Sequence, residues 1–319
     1  MKAIVVREFG GPEVMTVEES ADLQPSDVEV HVKIEAAGVN PVDTYIRGGQ
    51  HTIKPSLPYT PGKDGAGVVE AVGAGVKNIK PGDRVYTADS ISGTYAEYAL
   101  CREDQVAMLP YNVSFEQGAG VFTPYATAYR ALFQKAQLIP GEKVLVHGAS
   151  GAVGIAAVQW AKRAGAIVIG TASSEEGMHL AQDEGADHVF DHSDPDHFEA
   201  INDATHGGVD VIIEMLANEN LERDFGVLKK FGRVVIVGSR GSINLTPRLA
   251  MTKEATIHGM VLFNATQDEF AEIRRGIYDG LSAEYLRPIV RRSYPLSEAA
   301  DAHREIIESK ACGKIVLVP

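Results

Sequence analysis

The apolar and polar positions of this chain follow two different rhythms. Up to residue 122, short runs alternate at period two, as in VEVHVKIEAAG (28–38), GVVEAVG (67–73) and TYAEYAL (94–100). Such alternation puts successive side chains on opposite faces, the pattern of strands with one face buried. Turn signals separate the runs, among them Pro61-Gly62 and Pro81-Gly82-Asp83. This part is predicted to be an irregular antiparallel barrel or sandwich.

From 123 to 265 the rhythm changes. Apolar strand candidates recur at 143–147, 166–170, 187–190, 209–214, 233–238 and 257–262, with helical segments between most of them. Residues 155–164 run into Gly165 and residues 221–231 into Gly232, each glycine standing where a helix stops. Strand and helix in repeated alternation predict an α/β fold with a doubly wound parallel sheet. The tail has one more helix pattern at 297–309 and closes on KIVLVP, a strand predicted to return to the first domain. The predicted organisation is a β-rich domain over 1–122, completed by 266–319, and a doubly wound domain over 123–265. A chain of 319 residues exceeds what one core usually fills.

The stretch HGASGAVG (147–154) sits between an apolar strand and a helix, where a phosphate-binding glycine turn belongs. Gly151 lets the backbone approach a pyrophosphate and Gly154 lets the helix pack close to the strand. The helix N-terminus offers unpaired N–H groups and a partial positive charge. Ala149 stands where the first glycine of G-x-G-x-x-G would be, which alanine tolerates if its φ stays negative. About twenty residues on, the second strand ends without the Asp or Glu that grips a ribose 2′-hydroxyl. Thr171, Ala172, Ser173 and Ser174 stand there instead, predicting a small hydroxyl-lined space for a 2′-phosphate and hence NADPH, although Glu175 and Glu176 follow closely.

Charge narrows the partners. A formal charge of −13 argues against nucleic acid or an anionic membrane surface. No run reaches the length of a membrane span, and MKAIVVREFG lacks the apolar core of a secretory leader. Two cysteines, Cys101 and Cys312, cannot build a disulfide framework and point to the reducing cytoplasm.

The blocks GVNPVDTYIRGG, LPYTPGKDGAGVVEAVG, TPYATAYRAL, HGASGAVG, IIEMLANENL and RVVIVGSRG closely resemble the zeta-crystallin type NADPH:quinone oxidoreductases, a zinc-free branch of the medium-chain dehydrogenase/reductase superfamily. The resemblance spans essentially the whole chain. It implies a GroES-like catalytic domain plus a Rossmann domain, with the active site in an interdomain cleft. It also implies a homodimer or homotetramer pairing through the Rossmann sheet edge. The zinc enzymes of that superfamily place two cysteines and a histidine where this chain has Asn40, Thr123 and Lys63. An amide, a hydroxyl and an ammonium do not make a tetrahedral zinc site of the usual kind. Val42 and Tyr45 likewise replace the proton relay.

By the same resemblance, Asn40, Tyr45 and Thr127 surround the nicotinamide end, and Ser150, Gly151, Ala152 and Val153 hold the pyrophosphate, with Gly154 behind them. Ser173 and His192 lie near the adenosine phosphate. Asn220, in the loop after the fourth strand, and Val237, Gly238, Ser239 and Arg240 line the cofactor cleft. Met260, Val261 and Leu262 end the sixth strand and offer backbone groups to the carboxamide. Thr127 can equally be a plain residue of a helix capped by Thr123 and begun by Pro124, and Tyr45 a half-buried aromatic. Lys63 is either a stand-in for the lost zinc charge, attracting a developing oxyanion, or a surface cation paired with Asp64 or Glu70. ADHVFDHSDPDHF (186–198) reads as a solvated loop rather than a metal site, despite His188, His192 and His197.

Without a Lewis acid, alcohol oxidation loses its alkoxide stabiliser, whereas a quinone accepts hydride readily. The expected activity is NADPH-dependent reduction of a small quinone or conjugated carbonyl. An enone or alkenal reductase is the alternative within the same chemistry. A crystallin-like or RNA-binding role is a non-enzymatic alternative, which the charge disfavours despite the Arg274-Arg275 and Arg291-Arg292 pairs.

Overall fold

Period-two runs become strands where the sequence alternates. The computed structural model describes residues 1–52, 54–309 and 312–319. The antiparallel pair β1 (Lys2–Val6) and β2 (Met15–Glu19) comes first, followed by the long β3 (Glu29–Val39). After β3 come α1 (Pro41–Arg47), β4 (Asp64–Val72), β5 (Arg84–Thr87), β6 (Tyr98–Arg102), β7 (Val106–Met108) and the single turn α2 (Phe115–Gly118). Val30, Val32 and Ile34 of β3 point into one core with Val69, Val85, Tyr95 and Leu317. Burying a side chain of that size stabilises by about 1.5–3 kcal/mol, so β3 is an anchor of this unit.

The second unit spans Pro124–Ile277. It begins with wide, π-type turns at Phe122–Ala126 and Arg130–Lys135 around the short α3 (Thr127–Tyr129). Then follow β8 (Lys143–Val146), α4 (Ala152–Arg163), β9 (Ile167–Ala172), α5 (Glu175–Asp183), β10 (His188–Asp191) and α6 (His197–Thr205). β11 (Val209–Glu214), α7 (Ala217–Val227), β12 (Leu228–Ile236), α8 (Pro247–Lys253), β13 (Thr256–Gly259) and α9 (Gln267–Ser282) complete the alternation. All neighbours in this sheet are parallel, in the order β10-β9-β8-β11-β12-β13. That is the doubly wound order with β8 and β11 side by side at its centre. Leu145, Ile169, Ile212 and Val234 share a core with Phe198 and Phe225.

The chain then adds β14 (Val290–Pro295), α10 (Ala299–Glu308) and β15 (Lys314–Val318) to the first unit, whose sheet runs β14-β15-β3-β4-β5-β7 with β6 also on β3. KIVLVP therefore pairs antiparallel with β3. Residues 266–277, expected with the first domain, belong to the second unit, because they open α9 and Ile273 and Ile277 are fully buried there. Among the described residues, no helix is long and apolar enough to cross a membrane.

Three expectations shift. The helix read at 221–231 is α7, which ends at Val227, and Gly232 lies within β12 instead of stopping a helix. There the register slips, Leu228 pairing with Val209 and Arg233 with Val211, as Phe231 turns the chain at φ +65°. Thr123 does not cap a helix: it lies inside a π-type turn. Met260, Val261 and Leu262 follow the sixth strand, which stops at Gly259.

Candidate functional site

Parallel strands bring the expected cofactor residues of the second unit to one edge of its sheet, the edge where doubly wound folds bind ligands. Ser150, Gly151, Ala152, Val153 and Gly154 follow β8, Ser173 follows β9, His192 follows β10, and Val237 to Arg240 follow β12. The positive-φ residue of the glycine turn is Gly148, at +60°, one position before Ala149. That answers how Ala149 is tolerated, since the preceding glycine takes the left-handed conformation. Gly151 N–H bonds back to Gly148 O at 3.0 Å and closes the turn. A Cβ on Gly154 would stand 2.1 Å from Gly148 O and 2.7 Å from Ala149 Cα, so only glycine lets α4 start this close to the strand.

The end of β9 is more committed than its sequence suggested. Thr171 is fully buried, and its Oγ1 accepts the Gly148 N–H at 3.2 Å. Ser174 caps α5 by accepting the Gly177 N–H at 3.1 Å. Two of the hydroxyls expected to line a 2′-phosphate space are thus used internally. Ser173 is half-buried beside them, and His192 is brought close by its N–H bond to Ala172 O at 3.0 Å. Asn220 lies in the first turns of α7, not in a loop, with Nδ2 donating to Glu214 Oε1 at 3.3 Å. The sequence reading missed Asn218, whose Oδ1 accepts the Arg240 N–H at 2.7 Å and the Ser239 hydroxyl at 3.3 Å. Met260 and Leu262 are buried and Val261 is exposed. Thr127 is buried in α3.

In the first unit, strand register gathers the other candidates. Asn40 follows β3 and caps α1, Asp64 opens β4 opposite Gly38, and Lys314 opens β15 next to Ile315, which faces Val39. Lys314 Nζ donates to Asn40 Oδ1 at 2.6 Å and to Asp64 Oδ2 at 3.3 Å, and Asn40 Nδ2 donates to Asp64 Oδ2 at 3.0 Å. The Thr123 hydroxyl and N–H both donate to Asp64 Oδ1, at 2.6 and 3.2 Å. Asn40, Asp64 and Lys314 are all buried; burial pulls the Lys314 pKa down while Asp64 and Asp43 hold it up. Two of the three positions that carry zinc ligands in the metal enzymes are thereby tied into a hydrogen-bonded, charge-neutralised cluster. The donor set does not fit zinc: the Asn40 oxygen and amide are spoken for, and an ammonium stands among them.

The cation in that cluster is Lys314, not Lys63. Lys63 Nζ pairs with Asp89 at 2.7 Å, neither of the partners expected for it, on the wall of a cavity of about 680 Å³ that Asp43 and Tyr59 also line. Asp43 fixes the start of α1 by accepting the Asn40 N–H at 2.9 Å, and the Tyr95 hydroxyl lies 3.3 Å from its Oδ2 and 3.0 Å from His303 Nε2. Burial pushes Asp43 up to about 6 and His303 down to about 3. This network holds the helix that carries Tyr45, which is half-buried on a smaller cavity beside Arg47.

Comparison with known proteins agrees with this architecture. Residues 152–276 match the family described as zinc-binding dehydrogenase, and residues 26–131 match the alcohol dehydrogenase GroES-like domain. A quinone oxidoreductase of Sus scrofa is 49% identical, the match covering 100% of this chain and 98% of the relative; one of Homo sapiens is 47% identical over the same shares. The crystal structure of Escherichia coli quinone oxidoreductase complexed with NADPH is similar at a TM-score of 0.91 and 32% identity, covering 100% of both chains. The chain belongs to the zeta-crystallin type quinone oxidoreductases of the medium-chain dehydrogenase/reductase superfamily.

Proposed function

We propose that this chain reduces quinones with NADPH and without zinc. The observation that carries the reading is the cluster of Lys314, Asn40, Asp64 and Thr123, which commits the former ligand positions to one another. An acceptor that needs no Lewis acid suits such a site, and a quinone is one. The glycine turn, with Gly148 left-handed and Gly154 pressed against it, fits a pyrophosphate. No carboxylate stands at the end of β9 to claim a ribose hydroxyl, which favours NADPH.

When bound, NADPH supplies the hydride; the acceptor anion takes its proton from water or Tyr45. Ser150 to Val153 hold the pyrophosphate, with Gly154 packing α4 against the strand behind them, and Ser173 and His192 hold the 2′-phosphate. Asn220, Val237 to Arg240 and the backbone of Met260 to Leu262 bind the rest of the dinucleotide. Asn40, Tyr45, Thr127 and Lys63 serve the nicotinamide and acceptor. The protein works in the cytoplasm, for which a chain with two cysteines, Cys101 and Cys312, too few for a disulfide framework, speaks. It does so as a homodimer or homotetramer, for which the edge strand β13, paired among the described residues with β12 alone and exposing Ile257, provides a surface.

Anaerobic stopped-flow oxidation of NADPH tests the substrate class. A naphthoquinone is expected to be reduced at least about tenfold faster than a short enal at equal concentration. Faster turnover of the enal would make the protein a double-bond reductase instead.

A further inference from the structure

Beneath the glycine turn lies a buried cluster that neither the fold nor the proposed reaction assigns. His147, between β8 and the turn, has Nε2 2.9 Å from Asp224 Oδ1 and 3.4 Å from Glu214 Oε2. All three side chains are cut off from solvent. Among the described residues, they are the one group of three such side chains whose ligating atoms come within 4.8 Å of one another. Together they touch the segments at the ends of three strands, β8, β9 and β11. His147 Nδ1 lies 3.4 Å from Thr171 Oγ1 at the end of β9. Glu214 Oε1 accepts the Leu216 N–H and the Asn220 Nδ2–H, at the turn into α7.

One assignment of the protons fits these contacts. Thr171 Oγ1 accepts from Gly148 N–H and lies 3.4 Å from His147 Nδ1, to which its own hydrogen can be donated. The imidazole is then neutral, with its proton on Nε2 donated to Asp224 Oδ1. Glu214 Oε2, 3.4 Å from His147 Nε2, and Asp224 Oδ2 make no hydrogen bond. Two adjacent buried carboxylates beside a neutral imidazole would leave two charges uncompensated, and a proton retained by the pair removes one of them. We propose that Glu214 carries this proton at neutral pH, donates it to Asp224, and with His147 forms a clamp that fixes the three turns of the dinucleotide site. The proposal rests on the dinucleotide-binding reading above.

Burial pushes both Glu214 and Asp224 up to about 7 and pulls His147 down, in keeping with a neutral imidazole and a retained carboxyl proton. The other charged or titratable neighbours are Arg223 on α7 and His197 on α6. A carboxyl raised in the folded protein contributes stability below its ordinary pKa, and that contribution is lost as the pH rises through about 7.

NADPH titration by calorimetry separates the possibilities. Glu214→Gln keeps a donor towards Asp224 and an acceptor towards Leu216 and Asn220, so it reproduces the protonated acid. NADPH affinity is expected to stay within about twofold of the parent and to lose its decline between about pH 6 and 8. Glu214→Leu removes both functions and is expected to raise Kd about tenfold while kcat at saturating NADPH changes little. Should the leucine variant not fold, nitrogen-15 NMR of His147 gives the same answer, with a neutral Nε2–H tautomer expected throughout that range. An imidazolium signal, a tenfold loss of affinity in Glu214→Gln, or a metal ion that leaves with Glu214 would overturn the clamp. Absence of NADPH binding by the parent protein would instead overturn the cofactor reading.

Discussion

Replacing Gly154 with alanine is expected to weaken NADPH binding by about ten- to a hundredfold. The added Cβ would stand 2.1 Å from Gly148 O, and the atoms it meets are backbone of Gly148 and Ala149, with no flexible side chain to yield. Overpacking of this kind costs about 1–3 kcal/mol and is relieved by moving the start of α4 off the strand. That movement carries the first N–H groups of α4, those of Ala152 and Val153, away from the pyrophosphate. Each hydrogen bond to a charged group contributes about 1.5–3 kcal/mol, and about 1.4 kcal/mol is a factor of ten in affinity. Calorimetric titration with NADPH reads the effect. A Kd unchanged within about twofold would mean that this turn is not what grips the phosphates.

The second large effect is expected at Lys314. Lys314→Met keeps much of the volume but leaves Asp64, only 1% exposed, without its ammonium. Removing one partner of a buried pair costs about 3–5 kcal/mol, because the other charge stays buried. Urea unfolding should show a loss of that size. Quinone turnover should fall too, since Asn40 loses the donor that fixes its Oδ1. Adding Asp64→Asn removes the stranded charge, so the double variant should recover part of the stability. A single variant within about 1 kcal/mol of the parent would show that the ammonium does not hold the cluster together.

The fold was legible because burial is periodic. The run at 209–214 is β11 to the residue, and Gly165 does close a helix, at φ +80° next to Ala164. Reading failed where a tertiary partner overrode local pattern. Gly232 looked like a helix stop, but the slipped pairing of Leu228 and Arg233 with β11 draws it into a strand. Thr171 and Ser174 looked available to a ligand, but the turn and the α5 cap take their hydroxyls.

The charged clusters show the same limit differently. Lys314 sits 250 residues from Asp64, and nothing in GKIVLVP tells that its first side chain is buried; only the pairing of β15 with β3 brings it there. The His147 cluster did leave a signal. In a doubly wound sheet the first and fourth strands are neighbours, so a histidine after the one and a glutamate ending the other meet at the same edge. The register bears this out, with His147 N–H bonded to Ile213 O beside Glu214.

The buried Lys314 ammonium is bonded to Asn40, which stands at a zinc-ligand position of the metal enzymes, and the reaction is expected to proceed without the metal. The direct test is NADPH-dependent reduction of a naphthoquinone by protein dialysed against a strong chelator, with zinc content measured on the same sample. Full turnover with no bound zinc is the expected result. Activity that falls as zinc is stripped and returns when it is added back would contradict the account.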